Sequence, residues 1–456
     1  MKKYIYMLIA VIAPLLVSCS DDDDNQSATM TINKIYLQDV KAKDEVYDRE
    51  VTFARLGQLI RIEGSGFTGL KKIYINGYDT YFNNALMTDN NVWVTLNKET
   101  PVDKADESVR NTITLVKDNT QTTYEFIIRA SAPSVASVDN TLPMPGETVT
   151  VYGANLQETT KVTLPGDVEI TEGIVSDEDG EWYSFTMPAG VTEAGSITSE
   201  GANGTAVTPA YFNNNTCFVI NFDDKGEMGG WSATFSSDDL VDDPLNTGRG
   251  KVVQILPESL LAEGPLKAGA NAKGFWTVGN DNANDDWNRM TAYIPGTTPV
   301  DSVALQFDVY CPEPWDLSGQ FEITLQNNLS NYGYGSACTM PSKDYLNQAY
   351  AWVPWLDRET GKNKPFTTGE RWQTITIPLT AFGNYTNTEL TWSFQNVIDD
   401  KNGGSYKNFG ILFCNPDLKW DKDAEDPDYP SQLFNKKIYL DNFRIVPTTA
   451  ITISDF

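Results

Sequence analysis

Gly57-Gln-Leu-Ile-Arg-Ile-Glu-Gly64-Ser-Gly66-Phe67 sets alternating apolar residues ahead of a glycine-rich turn. Gly146-Glu-Thr-Val-Thr-Val-Tyr-Gly153-Ala-Asn-Leu156 repeats the pattern 89 residues later. Alternation of period two that ends in glycine reads as a half-buried strand running into a turn. Downstream of each block, Lys72-Ile-Tyr-Ile-Asn-Gly77 and Lys161-Val-Thr-Leu-Pro-Gly166 keep the same 89-residue offset. Two blocks sharing one offset make an internal repeat. Ile32, Ile35 and Leu37, the run Val92-Trp93-Val94-Thr95-Leu96 and the stretches 113–116 and 124–128 complete the first copy. That is enough strand for one sandwich. The pattern predicts two sandwiches in tandem, over residues 31–130 and 131–213.

The order strand, Gly-x-Gly or Gly-x-Asn turn, apolar residue, strand resembles the IPT/TIG class of immunoglobulin-like domains, over residues 32–212. Such domains serve as spacers or interaction modules. Neither copy gathers a cluster of candidate ligands, so a spacer role is the expectation for both.

Past Asn213-Asn214-Asn215-Thr216 the repeat is gone, and residues 217–446 carry nine of the eleven tryptophans. Strand patterns continue at 303–310, 320–325, 372–377 and 409–414, and no helical period is evident. An Asn221-Phe-Asp-Asp224 opening, a Trp372-Gln-Thr-Ile-Thr-Ile-Pro-Leu379 segment and a Tyr439-Leu-Asp-Asn-Phe443 ending resemble the β-sandwich jelly rolls of carbohydrate-binding modules. The expected fold class is all-β, two immunoglobulin-like sandwiches followed by a larger jelly-roll glycan-binding domain over 214–456.

Charge and composition narrow the function. The chain has 456 residues, 34 Lys and Arg against 62 Asp and Glu, and a formal charge of −28. Nucleic acid is excluded as a partner, because a phosphate backbone calls for clustered Lys and Arg. Histidine is absent altogether. That removes Ser-His-Asp and Cys-His catalysis and every His-ligated metal. An enzyme on this chain would have to use carboxylates, and Glu322, Glu370 and Glu389 share no motif. A two-carboxylate glycoside hydrolase or lyase is therefore the alternative to a binder. A protein-binding adhesin is a second alternative, since loop aromatics also serve protein interfaces.

Lys2 and Lys3 precede an apolar run at 4–17, the form of a signal peptide over residues 1–18. Leu16-Val17-Ser18-Cys19 resembles a bacterial lipobox, which implies acylation of Cys19 and a lipid anchor. Asp21 to Asp24 lie in a polar tether at 19–30 and resemble a surface-export signal. Lipobox, acidic tether, tandem Ig-like domains and a Trp-rich terminal sandwich together resemble the surface glycan-binding lipoproteins of polysaccharide-utilisation loci, SGBP-B type. The resemblance implies a non-catalytic protein displayed on the outer membrane. Its ligand would be a neutral polysaccharide, a plant-cell-wall β-glucan or xyloglucan, and its neighbours an outer-membrane importer and surface glycoside hydrolases.

A neutral glycan offers apolar C–H faces, and an exposed indole is a flat surface with little entropy to lose. Trp315 sits in the Pro-rich run Cys311-Pro-Glu-Pro-Trp315-Asp-Leu-Ser-Gly319, while Tyr350-Ala-Trp352-Val-Pro-Trp355 lies in an irregular segment. Trp276 and Trp287 bracket Asn280-Asp-Asn-Ala-Asn-Asp-Asp286, which offers amides and carboxylates to hydroxyls. These residues, Trp276, Trp287, Trp315, Tyr350, Trp352 and Trp355, are the expected platforms, with Tyr332 and Tyr334 as weaker candidates. Trp231, Trp372 and Trp392 read as core. No cofactor is implied. Asp223, Asp224 and Asp441 sit where related jelly rolls hold a structural calcium, but no loop of ligand spacing accompanies them and solvated strand ends are the reading. Cys217, Cys311, Cys338 and Cys414 allow three pairings, with Cys311 and Cys414 possible neighbours, and buried free thiols are expected.

Overall fold

A computed structural model describes residues 29–38, 48–223, 228–229, 235, 237–257, 273–277, 286–325, 349–382, 385, 391–403, 407–420 and 425–451. The Cys19 lipobox, Trp231, Tyr332, Tyr334, Cys338, Glu389 and Asp224 lie outside these residues. Packing divides the chain into two compact units, residues 1–131 and 132–456.

In the first unit, Leu59–Ser65 alternates buried and half-exposed residues along its length. It pairs with Thr31–Leu37 on one side and Asn91–Thr95 on the other, inside a five-stranded sheet. Ile60, Ile62, Val92 and Val94 from that sheet meet Ile73, Ile75, Ile113 and Leu115 from the opposing four-stranded one, all buried. Asn76 and Gly77 both have positive φ (48° and 80°) at the hairpin after Lys72–Ile75. That is the turn an Asn-Gly pair favours.

The second sandwich repeats the first at the predicted offset, with Thr148–Ala154 in the place of Leu59–Ser65. The reason for the repeated glycine is steric. A Cβ on Gly64 would lie 1.9 Å from the Thr31 carbonyl oxygen, and one on Gly153 would lie 1.9 Å from that of Ser134. In each copy the first strand passes so close that only glycine fits. Phe67 and Leu156, three residues on, pack beside the same spot and are buried.

Two antiparallel sheets form the C-terminal sandwich. One runs Leu240–Asp242, Lys251–Ile255, Ile438–Pro447, Val303–Tyr310, Gln373–Pro378, with Phe218–Ile220 also paired to Ile438–Pro447. The other runs Met228–Gly229, Lys273–Thr277, Gly410–Cys414, Gln320–Thr324, Ala349–Trp352. Leu305, Phe307, Val309, Phe321, Ile323, Phe413 and Phe443 fill the space between them.

One helix departs from the sequence expectation. Phe394–Gly403 buries Phe394, Val397, Ile398 and Lys401, one helical face. Its start is marked by Ser393, whose Oγ accepts from the Asn396 backbone N–H while the Asn396 side chain accepts from the Ser393 N–H. This is a capping box with Asn in the third position. Only ten residues long and carrying three charges, its apolar stripe is too short to stand out in the sequence.

The second Ig-like sandwich is not a free spacer. Its Glu147 accepts from Arg249 Nη2 at 2.8 Å, and Arg249 Nη1 donates to Asp308 Oδ2 at 2.6 Å. Arg444 donates to the same Asp308 oxygen at 3.3 Å and to Asn140 Oδ1 at 3.4 Å. Tyr211 Oη donates to the Ile445 carbonyl, and Val138 bridges Ile451. Arg249 and Asp308 are almost wholly buried. Burial would push the Asp308 carboxyl up, but the charges of Arg444 and Arg249 more than offset that and hold it below its ordinary value. Asp441, paired with Asp308 in the ladder, has no hydrogen-bond partner on either carboxylate oxygen among the described residues. Burial pushes its carboxyl well above the usual range, against the pull of Arg249.

Candidate functional site

Five of the expected platforms are core residues. Trp315 is fully buried because its loop folds back and exchanges backbone hydrogen bonds with Phe366, at 2.8 and 2.9 Å. The indole stands edge-on to Phe321, Trp352, Phe413 and Phe434, and its Nε1 donates to the Ser318 carbonyl. Tyr350 and Trp352 occupy alternate positions of Ala349–Trp352, opposite Ile323 and Phe321. Both therefore point between the sheets, where Trp352 stacks on Phe321 at 5.7 Å. Trp355 is buried with its Nε1 on the Gly319 carbonyl at 2.8 Å. Trp287 is buried in the 3-10 helix Trp287–Ala292, with the Lys401 ammonium 5.2 Å from its ring centre. Segments without evident alternation thus hold a strand at Tyr350 and Trp352, a 3-10 helix at Trp287 and a folded-back loop at Trp315, and a large apolar ring gains most by turning inward from each. For Trp276 the backbone is described, opposite Gly410 in the ladder, but the side chain is not.

Trp372 is buried as expected, with its Nε1 donating to Asp243 at 3.0 Å, and Trp392 packs half-buried against the main core. Cys217 and Cys311 are free buried thiols, and Cys414 is buried with its Sγ toward the Gln320 carbonyl. Burial pushes the Cys217 thiol up to about 11 and the Cys311 thiol up to about 12, so both stay protonated and unreactive at neutral pH.

Calcium finds no described cage. Asp223 is exposed and accepts from the Lys251 N–H, and no three Asp, Glu, Cys or His side chains converge among the described residues. Asp441, expected as a solvated strand end, is instead fully buried, because it lies in the middle of the strand Ile438–Pro447.

A half-exposed aromatic surface lies where two loops of the C-terminal domain meet. Trp420 follows Leu418, which forms a bridge with Tyr429. An ideal Cβ on Gly361 would lie 2.8 Å from Cδ1, Cδ2 and Cε2 of the Trp420 indole. Equal distances to three ring atoms mean that the glycine lies flat over one ring face. Gly361 has φ +69°, so the tight turn also calls for glycine. Tyr429 Oη donates to the Gly361 carbonyl at 2.8 Å, and the Trp420 N–H donates to Asp428 at 2.8 Å. Asp357 closes the opposing turn by accepting from the Glu359 and Thr360 N–H groups, which hold its carboxyl below the usual range. The result is one half-buried indole, packed against the main core with Gly361 over its ring, near carboxylates and a hydroxyl. The sequence reading passed over Trp420 because Trp-Asp-Lys-Asp resembles a polar loop. Its one signal was a lone tryptophan in a segment without alternation.

Comparison with known proteins agrees with this architecture. A profile of the surface glycan-binding protein B xyloglucan-binding domain matches residues 211–447, over half of the chain. The surface glycan-binding protein SGBP-B of Prevotella bryantii is 20 % identical, with 93 % of this chain and 100 % of that one covered and a TM-score of 0.55. An SGBP-B from a complex xyloglucan utilization locus in Bacteroides uniformis is 18 % identical, with 92 % and 100 % covered and a TM-score of 0.47. A Bacteroides ovatus protein described as IPT/TIG domain-containing is 26 % identical over 219 residues, 45 % of this chain and 43 % of that relative, so the match spans less than half of the relative's length. The two-carboxylate enzyme is set aside, and the chain belongs to the surface glycan-binding protein B family, which binds glycans without catalysis.

Proposed function

We propose that this protein holds a neutral β-glucan of the xyloglucan type on its C-terminal domain, at the outer cell surface, for surface glycoside hydrolases and an outer-membrane importer. The observation that carries the binding surface is the Trp420 indole, seated flat on Gly361 and half-exposed beside Asp357, Thr360 and Asp428. A pyranose face stacks on such a ring while its hydroxyls reach the neighbouring carboxylates. Trp276, on the strand Lys273–Thr277, is the second platform in this reading. If each stacked sugar covers ~50 Å² of apolar surface, one platform contributes about 1 kcal/mol. Cys19, acylated after cleavage of the leader, supplies the anchor, and Asp21 to Asp24 the export signal.

Calorimetric titration with xyloglucan, mixed-linkage glucan and a charged pectin tests the ligand class, and Trp420→Ala tests the surface. The neutral glucans are expected to bind and the pectin not, with the variant about 5- to 10-fold weaker at an unchanged melting temperature. Equal affinity in the variant removes the loop surface from the proposal, and no binding of any neutral glucan at millimolar concentration removes the ligand class. Cys19→Ala is expected to release the protein from the membrane fraction.

A further inference from the structure

The first Ig-like sandwich carries a cavity of about 340 Å³ on its surface, at the small end of ligand pockets. Leu59, Trp93 and Thr95, with Val94 between the last two, form its floor on the five-stranded sheet, where the neighbouring Ile60 and Val92 point into the core. Its wall is Tyr81, Phe82 and Asn83, where the chain enters the edge strand Phe82–Met87. Tyr81 is 82 % exposed, the largest exposure among the apolar and aromatic residues described as exposed. We infer that this cavity is a second glycan subsite, for a short stretch of neutral polysaccharide, on a domain whose expected role was spacing alone.

Three observations support that occupant. Among the described residues no charged side chain lines the cavity, although the chain carries 62 acidic residues. The one guanidinium in the adjoining row, Arg61, is neutralised by Asp48 at 2.5 Å and Glu63 at 3.0 Å. The lining thus matches an uncharged ligand and offers nothing to an acidic or basic one. Three aromatic residues, Tyr81, Phe82 and Trp93, share the lining with the Asn83 amide and the Thr95 hydroxyl, the mixture that sugar faces and hydroxyls need. An added protein strand fits less well, because Phe82–Met87 slips register between its two ends and Asn83 Oδ1 accepts the Ala85 N–H, which breaks up the free edge. A second weak subsite would raise retention of a long chain through effective concentration without tightening the hold on short ones.

The inference rests on the family's glycan binding, and the test separates the two. The full chain is labelled with fluorotryptophan, Trp93 is assigned through Trp93→Phe, and a six-unit β-1,4-gluco-oligosaccharide is titrated while fluorine NMR is recorded. The Trp93 resonance is expected to shift with a Kd on the order of 1–10 mM, and Tyr81→Ala, at a position too exposed to matter for folding, to weaken that shift about 3- to 10-fold. A Trp93 signal that stays in place at saturating oligosaccharide overturns the subsite, and movement of the other tryptophans in that experiment shows that glycan binding itself survives. A Trp93 shift that follows protein concentration without sugar also overturns it, in favour of self-association.

Discussion

Replacing Trp315 by Ala separates a platform from a core residue. The ring is fully buried, has four aromatic neighbours with centroids 5.8 to 6.1 Å away, and donates its N–H to Ser318. Truncating a buried Trp costs about 3–5 kcal/mol, with the lost edge-to-face pairs included in that range. Trp315→Phe keeps most of the packing but leaves the Ser318 carbonyl without its donor, for about 1–3 kcal/mol. In a unit as large as residues 132–456, the Ala variant should melt about 5–15 °C lower. The assay is calorimetric unfolding paired with glycan titration well below the transition. The expected result is a lower transition with wild-type affinity in the molecules that remain folded. An unchanged melting temperature with lost glycan binding would refute the burial argument and restore Trp315 as a platform.

Two further outcomes follow from the packing. Gly153→Ala drives a methyl into the Ser134 carbonyl, 1.9 Å away, and should cost more than about 2 kcal/mol, whereas Gly146→Ala, with open space around it but φ +90°, should cost only about 1 kcal/mol; urea unfolding of both variants reads the difference. Asp441 gives a pH signature. Its folded carboxyl lies well above the unfolded value of about 3.9, so folding takes up a proton between the two values. Its contribution is fully present below the unfolded value and is lost as pH rises toward the folded one. Asp441→Asn should therefore melt higher than wild type at pH 7, with the gap closing toward about pH 4. Asp308, shifted the opposite way, contributes above its unfolded value and loses that contribution as pH falls. An Asp441→Asn protein that is less stable at pH 7 would mean that the carboxylate is charged and held by a cation.

Local rules read well wherever the chain obeys them alone. The 89-residue offset, the Gly64 and Gly153 positions, the Asn76-Gly77 turn and the strand alternation at 59–65 and 148–154 all follow from backbone sterics and period-two burial, which act within a few residues. The helix Phe394–Gly403 escaped because its stripe is only two turns long and its Ser393 cap uses Asn where Glu or Gln is the familiar signal.

By itself, the sequence determined an all-β chain with a duplicated Ig-like sandwich, a different terminal domain rich in tryptophan, and no histidine chemistry. Only the tertiary structure decided which indoles face water. Trp315 and Trp352 turn inward onto a cluster that Phe321 shares with Phe413 and Phe434, brought from about a hundred residues further along the chain, while Trp420, packed against the same core with Gly361 over its ring, stays half-exposed. The joint between the second sandwich and the C-terminal domain was equally hidden, since Glu147, Arg249, Asp308 and Arg444 become a network only when four separate strands and loops bring them together. Exposure and ion pairing are sums over neighbours from the whole chain, and no local window of sequence contains them.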